Sequence, residues 1–330
     1  MKRLAIIVFA AAAAAGTCLF SEDVQLRTMT VGGFPHRVAT KYTAAEGLGG
    51  EDVRAAAVCG GRVFAGTDAG LSVYEGGEWK GYAGEGAGSI GAVSAVFCDG
   101  EDLVVGASGG ALFFRGFPGA LVRSVETTAP AISIGVMGGF TLIGTGGGLY
   151  VVGNGTEKVS EAAALKGREV RSVAVDEGGG AAWLATDGGL YRFDGVNAAR
   201  YPAGGAAGPV SDDTRAVFFG EDGILWIGTD RGLTRHDPAR GAWEHVTGAR
   251  GGLPYEDVLA VAVGGGAVWV GTFVGAARWD GAEWHYFQGG RYLPGDRVQA
   301  AAVEPGGAAW LGVKGGLSKI EYRLLTLEET

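Results

Sequence analysis

Three arginines stand at matching places in the chain: Arg54, Arg171 and Arg215. Each is the second residue of a short apolar run, and each has a carboxylate two positions upstream, Asp52, Glu169 and Asp213. Asp257 and Arg297 hold that upstream position before two further runs, which begin at Val258 and Val298. A guanidinium is a planar fork of donors, so three converging ones could grip a carboxylate-bearing or hydroxyl-rich ligand through paired hydrogen bonds. The competing outcome is that each Arg pairs with a neighbouring carboxylate and only seals the structure around it. For an enzyme using the same place, the available general bases are Glu169, Asp213 and Asp257.

Other reactive patterns are thin. The four histidines, His36, His236, His245 and His285, form no HExxH or HxH pair, and no GxSxG or GKS/GKT element occurs. The GxGxxG match GAGSIG from Gly86 is expected in a chain with 64 glycines and is read as a turn. Asp68, Asp187 and Asp230 each follow a Thr. They could ligate a cation, but an Asp bonding its own backbone in a tight turn is the simpler expectation. Cys59 and Cys98 form no zinc-type cluster, and two buried free thiols are expected of them, a bridge being the alternative. No cofactor or metal is expected.

The elements that must position these residues come from an internal repeat. Anchors begin at Phe64, Val104, Leu142, Trp183, Trp226, Trp269 and Trp310, as in WIGTDRGL from Trp226. The intervals are 40, 38, 41, 43, 43 and 41 residues. Upstream of each anchor lies a run of small apolar residues, such as VRAAAV from Val53 or VLAVAV from Val258. Downstream come a Gly-containing turn, a third strand such as LYRFDG from Leu190, and a more polar fourth strand carrying Trp79, Trp243 or Trp284. Four short strands per unit of about 41 residues make one propeller blade. The fold class is all-β: a seven-bladed β-propeller of four-stranded blades. Anchor tryptophans are expected between blades, as core rather than ligand-stacking groups.

Aligning the seven inner strands places their second residues around one mouth of the central channel. They are Arg54, Ser94, Ser133, Arg171, Arg215, Leu259 and Gln299, preceded by Asp52, Ala92, Ala131, Glu169, Asp213, Asp257 and Arg297. Closure has two candidates for one outer strand, HRVATKYT from His36 and RLLTLEE from Arg323, and the N-terminal one is favoured. The other terminal segment is expected at the periphery, beside VQLRTMTV from Val24.

A net charge of -9 argues against nucleic acid as a general partner, since phosphate binding needs a basic footprint. The N-terminus, MKRLAIIVFAAAAAAG, has a basic start, a short apolar stretch and small residues, which marks residues 1–21 as a secretory signal peptide. Residues 22–330 are then a single propeller domain. Cys18, after Ala15, Gly16 and Thr17, loosely matches a lipobox, so a lipid anchor is the alternative to ordinary cleavage. No later apolar run is long enough to span a bilayer.

The repeat resembles the two-component regulator propeller family, whose unit runs GLP-x-x-x-V, then D-x-x-G, then WIGT-x-x-GL. GLPYEDV from Gly252 matches the opening and WIGTDRGL from Trp226 the close. The similarity is strong in the last four units; Trp is lost from the first three anchors and Thr from the one at Val104. The resemblance implies an exported, sensor-like propeller of the kind that precedes membrane histidine kinases and responds to glycans. This chain shows no kinase and no downstream membrane span. The expected function is non-enzymatic recognition of a glycan or another polar or anionic ligand at the channel mouth, by a monomer in the periplasm or at the cell surface. The alternatives are a protein-interaction scaffold and a lyase-type enzyme working in the same channel.

Overall fold

Each small-apolar run is the innermost strand of a four-stranded antiparallel sheet. These strands are Val53–Cys59, Val93–Asp99, Ala131–Met137, Val170–Asp176, Thr214–Phe219, Val258–Gly264 and Val298–Val303. The seven sheets are the blades, numbered here in that order. The computed structural model describes residues 34–82, 90–100, 102–116, 119–153, 159–205, 207–248 and 252–325. The signal-peptide segment, Cys18, the Val24 segment and Gly86 lie outside them. By their contacts the residues form two units. Val38–Glu321 carries the blades; Met1–Arg37 with Tyr322–Thr330 is a small second unit, described at 34–37 and 322–325. No helix among the described residues is long and apolar enough to cross a membrane.

Local chemistry explains the repeated shape. Inner and second strands of blades 1, 3 and 6 meet at Gly60–Gly61, Gly138–Gly139 and Gly265–Gly266, all with positive φ. Two central residues of positive φ are what a two-residue turn needs to match strand twist. The next turn is pinned by the buried anchor Thr. Its hydroxyl donates to the carbonyl three residues on, at 2.9 Å for Thr272 to Gly275 and 2.7 Å for Thr186 to Gly189. The same oxygen accepts an N–H two residues on, as from Val274 at 3.2 Å.

Blades stack through a knob and a hollow. The anchor Gly leaves the hollow, and the first residue of the next inner strand fills it. A Cβ on Gly271 would lie 2.7 Å from both Val298 Cγ1 and the Val298 carbonyl oxygen. In blade 4 the anchor carries Ala185, and the next inner strand opens with Thr214, whose hydroxyl bonds Thr186 N at 2.8 Å and O at 3.0 Å. Gly271→Ala should therefore destabilise by about 1–3 kcal/mol through overpacking. Chemical denaturation of the variant would read it, and an unchanged midpoint would contradict the knob-and-hollow account.

The anchor aromatics lie between blades, as the sequence implies. Trp226 packs with Val258 and Val270 of blade 6, and Trp310 with Val53 and Val63 of blade 1. The ring closes through the N-terminus: Phe34–Tyr42 is the outermost strand of the seventh sheet, beside Gly316–Leu325. Arg323–Leu325 is the end of the third strand rather than a rival outer strand.

One expectation is corrected. Cys59 and Cys98 are not free thiols but a disulfide joining blades 1 and 2. Both lie near the ends of the inner strands of adjacent blades, which brings their Cα atoms to 6.2 Å, within bridging range.

Candidate functional site

The mouth residues are displayed by a repeated irregularity. In every inner strand the register shifts one residue after the start, between Val53 and Ala55, Val170 and Ser172, Thr214 and Ala216, and their equivalents. A β-bulge leaves one residue out of the ladder and re-aims its side chain. The bulged residues are Arg54, Ser94, Ile132, Arg171, Arg215, Leu259 and Gln299. Ser133 was expected in blade 3, but Ala131 opens that strand and Ile132 takes the bulge. Ser133 is instead buried, donating to the Val170 carbonyl at 2.8 Å.

Six of the seven bulged residues, all but Ser94, line an open cavity of about 200 Å³ along the axis. The wall behind them is small, with Ala56, Ala260 and Ala301. Of the bulged residues, Arg54, Arg171, Arg215 and Gln299 are polar and Ile132 and Leu259 apolar; Ser133 and Ser172 also line the cavity.

The carboxylates join the arginines into two groups. Arg171 donates Nε to Glu169 at 2.8 Å and Nη1 to Asp213. Arg215 donates Nη2 to Asp213 at 3.1 Å and Nη1 to Asp257. The result is a ladder, Glu169–Arg171–Asp213–Arg215–Asp257, across blades 4, 5 and 6. On the far side Arg54 holds Asp52 at 2.8 Å, and Gln299 donates to the same carboxylate at 2.6 Å. The groups are a quarter to two-fifths exposed, so each pair adds little net stability and mainly fixes direction.

Burial is the largest single influence on Asp213 and raises its pKa, but hydrogen bonds and charge from Arg171 and Arg215 outweigh it, so its carboxyl titrates below the usual range. Asp52 is likewise low: burial raises it, and Arg54 and Gln299 more than compensate. For Arg171, burial pulls the pKa down, and bonds to Asp213 and Glu169 leave it above the ordinary value. A carboxyl lowered in the fold contributes its full stability above its unfolded pKa of about 3.9, and that stability is lost as pH falls from there through the lowered folded value. His236 adds a second window. Burial lowers its pKa, with its ring stacked 3.8 Å from Trp243. A buried neutral His stabilises above its unfolded pKa of about 6.5 and loses that contribution as pH drops. Stability should decline below about pH 6.5, and His236→Phe should remove that first slope while the one below pH 4 remains. Melting temperatures from pH 3 to 8 would show it, and a first slope surviving the substitution would contradict it.

Two of the anchor aspartates, Asp68 and Asp187, brace the mouth through their carboxylates; Asp230 does so only through its backbone N–H, which donates to the Asp213 carbonyl at 3.2 Å. Asp68 accepts the Asp52 N–H and donates its own N–H to the Asp52 carbonyl, both at 3.2 Å. Asp187 repeats this with Glu169 at 3.2 and 3.3 Å. The residues whose carboxylates orient Arg54 and Arg171 are thus held by their blade's next turn, a cross-strand role that the local sequence does not reveal. Arg297 does not join the ladder; its guanidinium lies 5.8 Å from the Phe273 ring. His245 and His285 lie on outer strands as expected, His245 exposed. His285 is half-buried, with Nε2 2.6 Å from Asp280. Glu283 lies nearby, and backbone N–H groups of its turn also engage Asp280.

The extracellular domain of BT4673 from B. thetaiotaomicron, assigned to a hybrid two-component system, aligns with a TM-score of 0.71 at 16% identity, over 86% of this chain and 40% of that one. The fold is that of these extracellular propellers. The corresponding domain of BT3049 gives 0.69 at 18% identity, over 85% and 40%. The chain thus spans about 40% of the length of these extracellular domains. Virginiamycin B lyase from Staphylococcus aureus, solved with quinupristin, gives 0.66 at 11% identity, over 86% of this chain and 99% of that one. No family model and no curated protein matches the sequence.

Proposed function

We propose that this chain is an exported, sensor-like recognition module that binds a neutral, hydroxyl-rich ligand such as a saccharide at the mouth of its channel. The observation that carries the reading is the bulge-displayed ladder around an open axial cavity. Each arginine there is already matched by carboxylate, which disfavours an anion. Alternating donors and acceptors suit hydroxyl groups, which both give and take hydrogen bonds. Arg171 Nη2 and Arg54 Nη1 have no protein partner among the described residues and remain for a ligand. The disulfide and the likeness to extracellular domains support export. Asp213, held below the usual carboxylate range by its arginines, is poorly matched to a general base at neutral pH, which weighs against the lyase reading.

The test is thermal stability of residues 22–330 with neutral saccharides, organic acids and divalent metals. A saccharide at a hundred times its dissociation constant should add about 2.7 kcal/mol. For a domain of this size that is about 4 °C. Replacing Arg54, Arg171 and Arg215 with Ala should abolish the shift. A response confined to acids or metals, or one that survives the triple variant, would refute the proposal.

A further inference from the structure

On the same face, blade 6 departs from the repeat. Where blades 1, 4 and 5 carry Asp68, Asp187 and Asp230 after the anchor Thr, blade 6 carries Phe273. Its backbone keeps the repeated contact, donating to the Asp257 carbonyl at 3.2 Å, as Asp230 does to Asp213. The Phe273 backbone is therefore held beside Asp257, the last carboxylate of the ladder, while the residue is 48% exposed. Tyr255, two residues before Asp257, is 46% exposed, with its ring centroid 6.2 Å from that of Phe273. Val274 is exposed beside them, and Arg297 reaches the Phe273 ring from blade 7. Scattered exposed apolar residues are ordinary, but two aromatic rings and a guanidinium grouped at the end of a hydrogen-bonding ladder are not scattered.

We propose that Tyr255 and Phe273 form a stacking platform for a sugar ring, so that the ligand is an oligosaccharide running from the channel mouth across blade 6. The inference rests on the saccharide reading above and extends it. A pyranose has one face of C–H groups and an edge of hydroxyls. An aromatic face, electron-rich at its centre, meets the C–H groups, while polar groups at the side fix the hydroxyls. Phe273 and Tyr255 supply the first surface; Asp257 and Arg297 border it with an acceptor and a donor. The cavity of about 200 Å³ is small for more than one sugar ring, so additional rings must lie outside it.

Calorimetric titration of residues 22–330 with maltotriose, cellotriose, xylotriose and triacetylchitotriose tests this. The variants are Phe273→Asp, which installs the side chain of blades 1, 4 and 5, Tyr255→Ser, and Arg171→Gln. At least one trisaccharide should bind the wild type. Its dissociation constant should rise tenfold or more in Phe273→Asp and in Tyr255→Ser, with both unliganded melting temperatures kept. Loss of affinity in Arg171→Gln alone would overturn the platform and leave the channel-mouth reading standing. Loss in the two aromatic variants but not in Arg171→Gln would support the platform and remove the mouth. Failure of all four trisaccharides to bind the wild type would overturn both.

Discussion

Replacing Cys59 and Cys98 together with Ala should lower stability by about 4 kcal/mol. The bridge closes a 39-residue separation, and the chain-entropy relation gives that magnitude for a loop of this length. With an unfolding entropy of about 0.6 kcal/mol per kelvin for nearly 300 residues, the melting temperature should fall by about 7 °C. The location makes the bridge matter. It ties blade 1 to blade 2, where the anchors are Phe64 and Val104 rather than Trp, and where the core combines Phe64 and Phe114 with aliphatic groups such as Val93, Val105 and Ile90. Calorimetry of the double variant, and of the wild type with reductant, should agree. A loss under 1 kcal/mol in both would mean that the interface needs no covalent constraint.

Trp269→Ala should cost about 3–5 kcal/mol, the range for deleting a large aromatic from a packed core. The indole is fully buried between blades 6 and 7, against Phe287, Leu293 and Val298. A contrast makes this specific. The Trp269 indole N–H has no partner among the described residues, so Trp269→Phe removes an unsatisfied buried donor while keeping most of the ring, and should cost under about 1.5 kcal/mol. Trp310 donates its indole N–H to Glu304 at 2.7 Å, so Trp310→Phe leaves a carboxylate without that bond and should cost about 1–3 kcal/mol more than Trp269→Phe. Equal losses for the two Phe variants would contradict this assignment.

These residues also show what is legible in a sequence of this kind. The anchors, the inner runs and the Gly-Thr turns repeat because local geometry demands the same residue at each. A hollow needs Gly, a pinned turn needs a hydroxyl, and an interblade slot takes an aromatic. Blade number and strand order follow from that periodicity. The bulge does not, because it is a shift of pairing between strands rather than a residue preference. In blade 3 the run AISIGV opens with Ala instead of a β-branched residue, so the alignment slipped by one and named Ser133 where Ile132 stands. The disulfide depended on a distance between blades, and the Asp68 and Asp187 braces on a cross-strand contact, neither of which a linear reading supplies. Phe273 drew no attention in the sequence, because only its exposure beside Tyr255 gives it meaning.

The central claim is that ligand engages the starts of the inner strands. Hydrogen–deuterium exchange with and without a stabilising saccharide tests it most directly. Added protection should fall on residues 52–56, 169–173, 213–217 and 257–261, where the bulges and ladder lie. Protection confined to outer strands such as Ala198–Tyr201 and Ala242–Val246, with the inner-strand starts unchanged, would contradict it.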